Sequence, residues 1–240
     1  MEIPREKVKA VTKSPEVLVI YSKYKQGKST ALSLLDNNLI LDFENGTNFL
    51  DALKIQIKEV GDIRKVGDAI IEAGRPYKYI SIDTITALED FGKQVALIMY
   101  KATPIGKNYK EDDVLKLPNG AGYYWLRCAV ESLIDYIKTL APRLILSGHL
   151  KEKLITVDSK EVQASDLDMV GKLKNIICAK ADAIGMLRRE GNKTIISFQT
   201  SDLVSCGARP EHLRNKEIVL LESDETGKII KNGWNEIFID

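Results

Sequence analysis

The residues best suited to chemistry cluster near the amino end, in the stretch SKYKQGKST, which carries Ser22, Lys25, Gln26, Gly27, Lys28, Ser29 and Thr30. The stretch follows the pattern G-x-x-x-x-G-K-[ST], with Ser22 at the first glycine position. A loop that wraps a polyphosphate turns its backbone N–H groups inward, which favours Gly27 for close approach. Lys28 then reaches the β- and γ-phosphates, and the Ser29 hydroxyl ligates Mg²⁺. A side chain at Ser22 is compatible with this loop if that position keeps a negative φ.

Further along lie more groups of the same kind. The turn DFENG holds Asp42 and Glu44 at the end of a short apolar run, where buried parallel strands place chemistry. Asp83 ends the run YISID and is the expected second anchor for Mg²⁺, directly or through water. His149 follows Gly148 at the end of another apolar run, placed to hydrogen-bond a γ-phosphate or a nucleophilic water. Lys151 and Lys153 come immediately after it.

These groups need strands that end together and helices that cover them. Apolar runs at 17–21, 39–42, 79–83 and 143–147 read as strands. Helical spacing marks the segment opening with Ala31, Leu32, Leu34 and Leu35, and the segments 47–53, 63–73, 86–100, 121–140 and 170–179. Residues 101–120 form a polar insertion punctuated by proline and glycine. The aromatic group Tyr123, Tyr124 and Trp125 is expected in the core rather than as a base-stacking platform. Residues 155–168 suit a flexible loop or hairpin, 183–189 and 194–200 a hairpin, and 217–221 a last short strand. Residues 1–14, with Pro4, form an arm.

The chain has 240 residues, is 44% hydrophobic and 29% charged, and carries a net charge of +1. One sizeable α/β domain fits this length, and a wholly basic nucleic-acid coat is excluded, so any DNA or RNA contact comes from a local patch. The 3 cysteines are scattered and the histidines number 2, which favours free thiols over disulfides and argues against structural zinc. The chain shows no targeting or membrane-spanning pattern, and the expectation is a soluble, cytoplasmic protein.

Taken together, SKYKQGKST, LILDFENG, YISIDT, LSGHLKEK and GARPEHL resemble the RecA-like phosphate-loop ATPases. Within them the set is most similar to the AAA-type, phage-borne branch described as single-strand annealing or recombination ATPases. The resemblance implies a mainly parallel sheet flanked by helices with a C-terminal antiparallel hairpin extension, in a single domain over 1–240. It implies an ATPase using ATP and Mg²⁺, with Lys28 and Ser29 on phosphate and metal, and Asp83 completing the metal site. Glu44 takes the place of the carboxylate that activates water, with Asp42 as the competing candidate, and His149 matches the γ-phosphate sensor. Lys151 and Lys153 are placed to touch DNA or a neighbour's nucleotide. Arg209 falls where hexameric relatives present a basic finger to the next subunit; Gly207 stands where those relatives carry lysine, so Arg188 and Arg189 are alternatives. Single-stranded DNA, bound through 101–120 and 151–172, further copies of the chain and a single-strand-binding protein are the implied partners, in host-cell cytoplasm. A small-molecule kinase and a nucleotide-gated binding module with little hydrolysis are the alternative functions.

Overall fold

The structure is a computed structural model that describes residue 3 and residues 5–157, 160–201 and 203–240. The start of the expected arm, including Pro4, positions 158–159 of the expected loop and Asp202 lie outside the described residues.

The chain runs β1 (Val17–Ser22), α1 (Lys28–Ser33), β2 (Asn38–Asp42), β3 (Lys54–Gln56), α2 (Val60–Glu72), β4 (Tyr79–Asp83), α3 (Ile85–Lys101), α4 (Ala121–Lys138), β5 (Arg143–Val157) and β6 (Lys160–Leu167). It continues with α5 (Leu173–Lys180), β7 (Ala183–Glu190), β8 (Lys193–Ser197), β9 (Gly207–Ala208), β10 (Glu217–Ser223), β11 (Ile229–Asn232) and α6 (Trp234–Ile237). The described strands form one sheet in the order β11-β10-β8-β7-β1-β5-β4-β2-β3, with β6 paired to β5 and β9 to β7. From β7 to β3 the pairing is parallel, and β8, β10 and β11 extend it antiparallel. The expected architecture is present, a mainly parallel sheet flanked by helices with a C-terminal antiparallel extension.

β1, β2 and β4 are buried at every position, as strands covered on both faces must be. Alternate residues of β1 feed two cores. Val17, Val19 and Tyr21 pack with Leu88, Leu126, Val130, Ile134 and Ile177 from α3, α4 and α5. Leu18 and Ile20 pack on the other face with Ala31, Leu32, Trp234 and Ile237 from α1 and α6. Each fully buried Leu or Ile contributes about 1.5–3 kcal/mol, so β1 is among the best-held elements of the fold.

Four expectations are corrected. Residues 47–53 form no helix; the Thr47 and Gly46 N–H groups are captured by the Asp42 carboxylate, and Lys54 Nζ donates to the carbonyls of Thr47 at 2.5 Å and Leu50 at 2.8 Å. The insertion 101–120 is compact, with short 3₁₀ turns that bury Val114 and Leu117 against Ala96 and Ala129. Tyr123 and Tyr124 are exposed, because α4 buries the face of Gly122, Leu126, Ala129 and Val130, and only Trp125 is half-buried. The fourth long strand does not stop at Ser147; β5 continues to Val157 and pairs with β6 as an antiparallel ribbon leaving the core sheet.

Candidate functional site

Strand register assembles the site. Ser22 pairs with His149 across β1 and β5, Asp42 with Asp83 across β2 and β4, and Asp83 with Ser147 across β4 and β5. The chemistry-bearing residues scattered over the sequence therefore form a row at the carboxyl ends of β1, β2 and β4 and at the same height within the longer β5, beneath the loop that leaves β1.

That loop turns at Gly27, where φ is 96°. Lys28 is buried, and its ammonium donates to Ser22 Oγ at 2.9 Å and to the carbonyls of Ser22 and Lys23 at 3.4 Å. Burial lowers the Lys28 pKa, against the attraction of Asp83 and Glu44. Ser22 is the last residue of β1 and so extended, which answers the requirement on its φ, and its hydroxyl receives the lysine.

Ser29 Oγ donates to Asp83 Oδ2 at 2.6 Å, and Ser147 Oγ donates to Asp83 Oδ1 at 2.5 Å. Burial pushes the Asp83 carboxyl up, and the two hydroxyls offset part of that cost. Thr84 caps α3 by accepting the Ala87 N–H at 3.3 Å. The serine hydroxyl and the carboxylate are hard oxygen donors of the kind Mg²⁺ takes. Among the described residues no group of three or more His, Cys, Asp or Glu side chains is placed to hold a metal, so a cation here would draw its other ligands from phosphate and water.

Glu44 Oε1 accepts from Thr84 Oγ1 at 2.6 Å and lies 2.8 Å from His149 Nε2. Burial works against its charge, but the bonds from His149 and Thr84 and the nearby positive charge hold its carboxyl below the usual range. Asp42 is built otherwise: it accepts the N–H groups of Glu44 at 3.0 Å, Gly46 at 3.2 Å and Thr47 at 3.0 Å, and the Thr47 hydroxyl at 2.7 Å. All four donors belong to its own turn. Asp42 shapes the loop that carries Glu44.

The open space beside these groups is a cleft of about 340 Å³, lined among others by Tyr24, Lys25, Gly27, Lys28, Ser29 and Thr30 of the loop and by Glu44, Asp83 and His149. A larger groove of about 800 Å³ lies at the opposite, amino ends of β1 and β7, beside Glu16, Asp182 and Arg209. It holds none of the phosphate-loop residues, so size does not mark the site.

A family profile described as "AAA domain" matches residues 14–209. The chain belongs to this AAA domain family. No curated protein matches it. Among solved structures, the RadB recombinase is similar at 12% identity and a TM-score of 0.48, covering 89% of this chain and 90% of that one. A KaiC-like protein of the hyperthermophilic archaeon Pyrococcus horikoshii is similar at 10% identity and a TM-score of 0.45, covering 90% and 89%.

In this AAA domain the remaining expected residues fall into separate places. His149 stacks on Tyr24 of the phosphate loop, ring centroids 4.3 Å apart, and its Nδ1 is a buried polar atom without a partner among the described residues. Lys151 and Lys153 are exposed on the β5–β6 ribbon, where Lys151 pairs with Asp168 at 3.1 Å. The ribbon is tied to the loop by the ion pair Lys23–Glu152. Arg209 stands away from the cleft at the amino ends of β1 and β7, its guanidinium on Asp182 at 3.0 Å and on the Ala179 carbonyl at 2.6 Å. Arg188 is bidentate on Glu217 at 2.8 and 3.0 Å, whereas Arg189 lines the cleft. Gln26 turns its side chain to the Arg189 N–H, which it accepts at 2.8 Å.

Sequence reasoning did not single out Ser147, nor give roles to Thr84, Tyr24 or Lys23. Thr84 directly follows Asp83 and Ser147 stands two residues before His149, and only the fold shows what they touch. Among the described residues no helix is long and apolar enough to cross a membrane.

Proposed function

We propose that this chain hydrolyses ATP with Mg²⁺ and does so as a single-domain, oligomeric, single-stranded-DNA-binding protein of the phage recombination or annealing kind, in the host-cell cytoplasm. The observation that carries the ATPase reading is the Ser29–Asp83 hydrogen bond beside the buried Lys28, because it joins hydroxyl, carboxylate and ammonium at one strand-end row.

Lys28 leaves Ser22 for the β- and γ-phosphates, and Ser29 and Asp83 would hold the cation. The cation, when bound, offsets the charge on the phosphate oxygens. Glu44 orients the attacking water through Oε2, since both of its described hydrogen bonds fall on Oε1. The water oxygen bonds to the γ-phosphorus as the bond to the β–γ bridging oxygen breaks, and Glu44 takes the water proton. His149, between Glu44 and the root of the ribbon, relays nucleotide state to Lys151 and Lys153. The exposed Tyr123 and Tyr124 beside the compact insertion supply faces on which bases stack.

The test is steady-state phosphate release with and without single-stranded DNA. Stimulation by DNA that disappears in Lys28→Ala, and a drop of about 10²-fold or more in Glu44→Gln with nucleotide binding kept, is the expected result. Hydrolysis indifferent to DNA discards the recombination reading. Charge reversal of Lys151 and Lys153 that leaves DNA affinity and its salt slope unchanged discards the ribbon as a DNA contact.

A further inference from the structure

β1 lies between β5 and β7, so the cleft has two sides. On the β5 side stand Asp83, Glu44 and His149, the reacting end. On the β7 side stands Arg189, near the end of its strand.

The β7–β8 hairpin is hydrogen-bonded to the phosphate loop and lies close to it at a second point. Gln26 Oε1 accepts the Arg189 N–H at 2.8 Å. Thr194 of β8 faces Gly27 closely enough that a Cβ added there would stand 3.4 Å from the threonine Oγ1. Successive side chains of a strand point to opposite faces, so Arg188 and Arg189 part company. Arg188 is consumed by Glu217 and by Glu190 at 2.7 Å. Arg189 lines the cleft with Lys25, Gly27 and Thr30, and its guanidinium makes one described contact, Nε to the Gly191 carbonyl at 3.2 Å. Among the described residues it has no carboxylate partner. A guanidinium kept beside a lysine-bearing phosphate loop, without a carboxylate, suits a phosphate oxygen.

Resting on the nucleotide reading of this cleft, we infer that Arg189 binds the α-phosphate of the nucleotide held by Lys28 of the same chain. It is a binding residue at the nucleoside end, not a finger reaching a neighbour's γ-phosphate. Gln26 acts through it, fixing the hairpin against the loop.

Equilibrium binding of fluorescent ATP and ADP to wild type, Arg189→Ala, Arg189→Lys, Gln26→Ala and Arg188→Ala tests this, with thermal melts to establish folding. Arg189→Ala is expected to weaken ATP and ADP alike, by about tenfold, because both carry the α-phosphate. Arg189→Lys recovers part of the loss, Gln26→Ala weakens both nucleotides less, and Arg188→Ala leaves both unchanged. A loss confined to ATP, or equal binding by wild type and Arg189→Ala, overturns the inference. In turnover, a mixture of Lys28→Ala and Arg189→Ala subunits stays as slow as its parts if Arg189 acts within its own chain. Recovery in the mixture places Arg189 across a subunit boundary and overturns the inference while keeping the ATPase. Wild type that binds neither nucleotide overturns this inference together with the function it rests on.

Discussion

Asp42 and Asp83 end neighbouring strands at the same height of the sheet, Cα partners across β2 and β4, and are 2% and 3% exposed. They nevertheless have opposite electrostatics. For Asp42 burial is outweighed by the four donors of its own turn, and its carboxyl lies below the ordinary range. For Asp83 burial prevails over the hydroxyls of Ser147 and Ser29, and its carboxyl lies above it. The difference separates a carboxylate that builds the fold from one whose charge costs the fold stability, as befits the proposed cation ligand.

The largest effect is expected for Asp83→Asn. It removes a buried charge while leaving two hydroxyls that can still pair with the amide, so Mg²⁺-dependent phosphate release is expected to fall by about 10²-fold or more. The melting temperature is expected to hold or rise. Calorimetry on the same preparation checks it, and a melting temperature lower by about 5 °C or more would show that Asp83 stabilises the fold.

Asp42→Asn carries the opposite expectation. An amide nitrogen turned toward backbone N–H groups leaves donors unsatisfied, and urea unfolding at neutral pH should show a loss of about 2 kcal/mol. The pH dependence separates the two residues by sign. The depressed Asp42 pKa contributes stability above the unfolded value of about 4, and that contribution is lost as pH falls through the folded pKa, so the gap between wild type and Asp42→Asn narrows in acid. The raised Asp83 pKa gives a cost at neutral pH that disappears as pH falls through it, so any gain in Asp83→Asn also shrinks in acid. Parallel pH profiles for the two variants and wild type would contradict both assignments.

The smallest expected effect is at Ser22→Gly. The position is extended strand, so glycine brings flexibility without relieving strain, and Lys28 loses a hydroxyl acceptor. Stability should fall by about 1 kcal/mol or less, and ATP affinity should change by less than about threefold. A large gain in hydrolysis would mean that Ser22 holds Lys28 back.

The phosphate loop was legible because its physics is local: strand, turn and helix follow one another within 17–35, and each residue type answers a need of its neighbours. The end of β4 at Asp83 was legible for the same reason. The helical spacing of 47–53 competes with a side chain outside it, Lys54, whose ammonium takes the carbonyls of Thr47 and Leu50 that a helix would need for its own N–H groups. Tyr123 and Tyr124 were misplaced because spacing shows that α4 has an apolar face but not how that face is centred once Gly122, Leu126 and Val130 meet α3 and the insertion. Arg209 and Arg189 look alike in sequence, and only the fold puts one at the amino ends of the strands and the other in the cleft.

Local pattern therefore specifies the parts: buried strands that end in polar groups, a phosphate loop after the first of them, and an α/β alternation that favours a parallel sheet. The tertiary structure alone decided which groups meet. Glu44, from the turn after β2, and Asp83, Ser147 and His149, from β4 and β5, are far apart in the chain, and their contacts depend on parallel register, which no local pattern encodes. Whether a buried carboxylate is satisfied, as at Asp42, or left costly, as at Asp83, depends on donors that reach it through folding, because desolvation is common to both and hydrogen bonding is not.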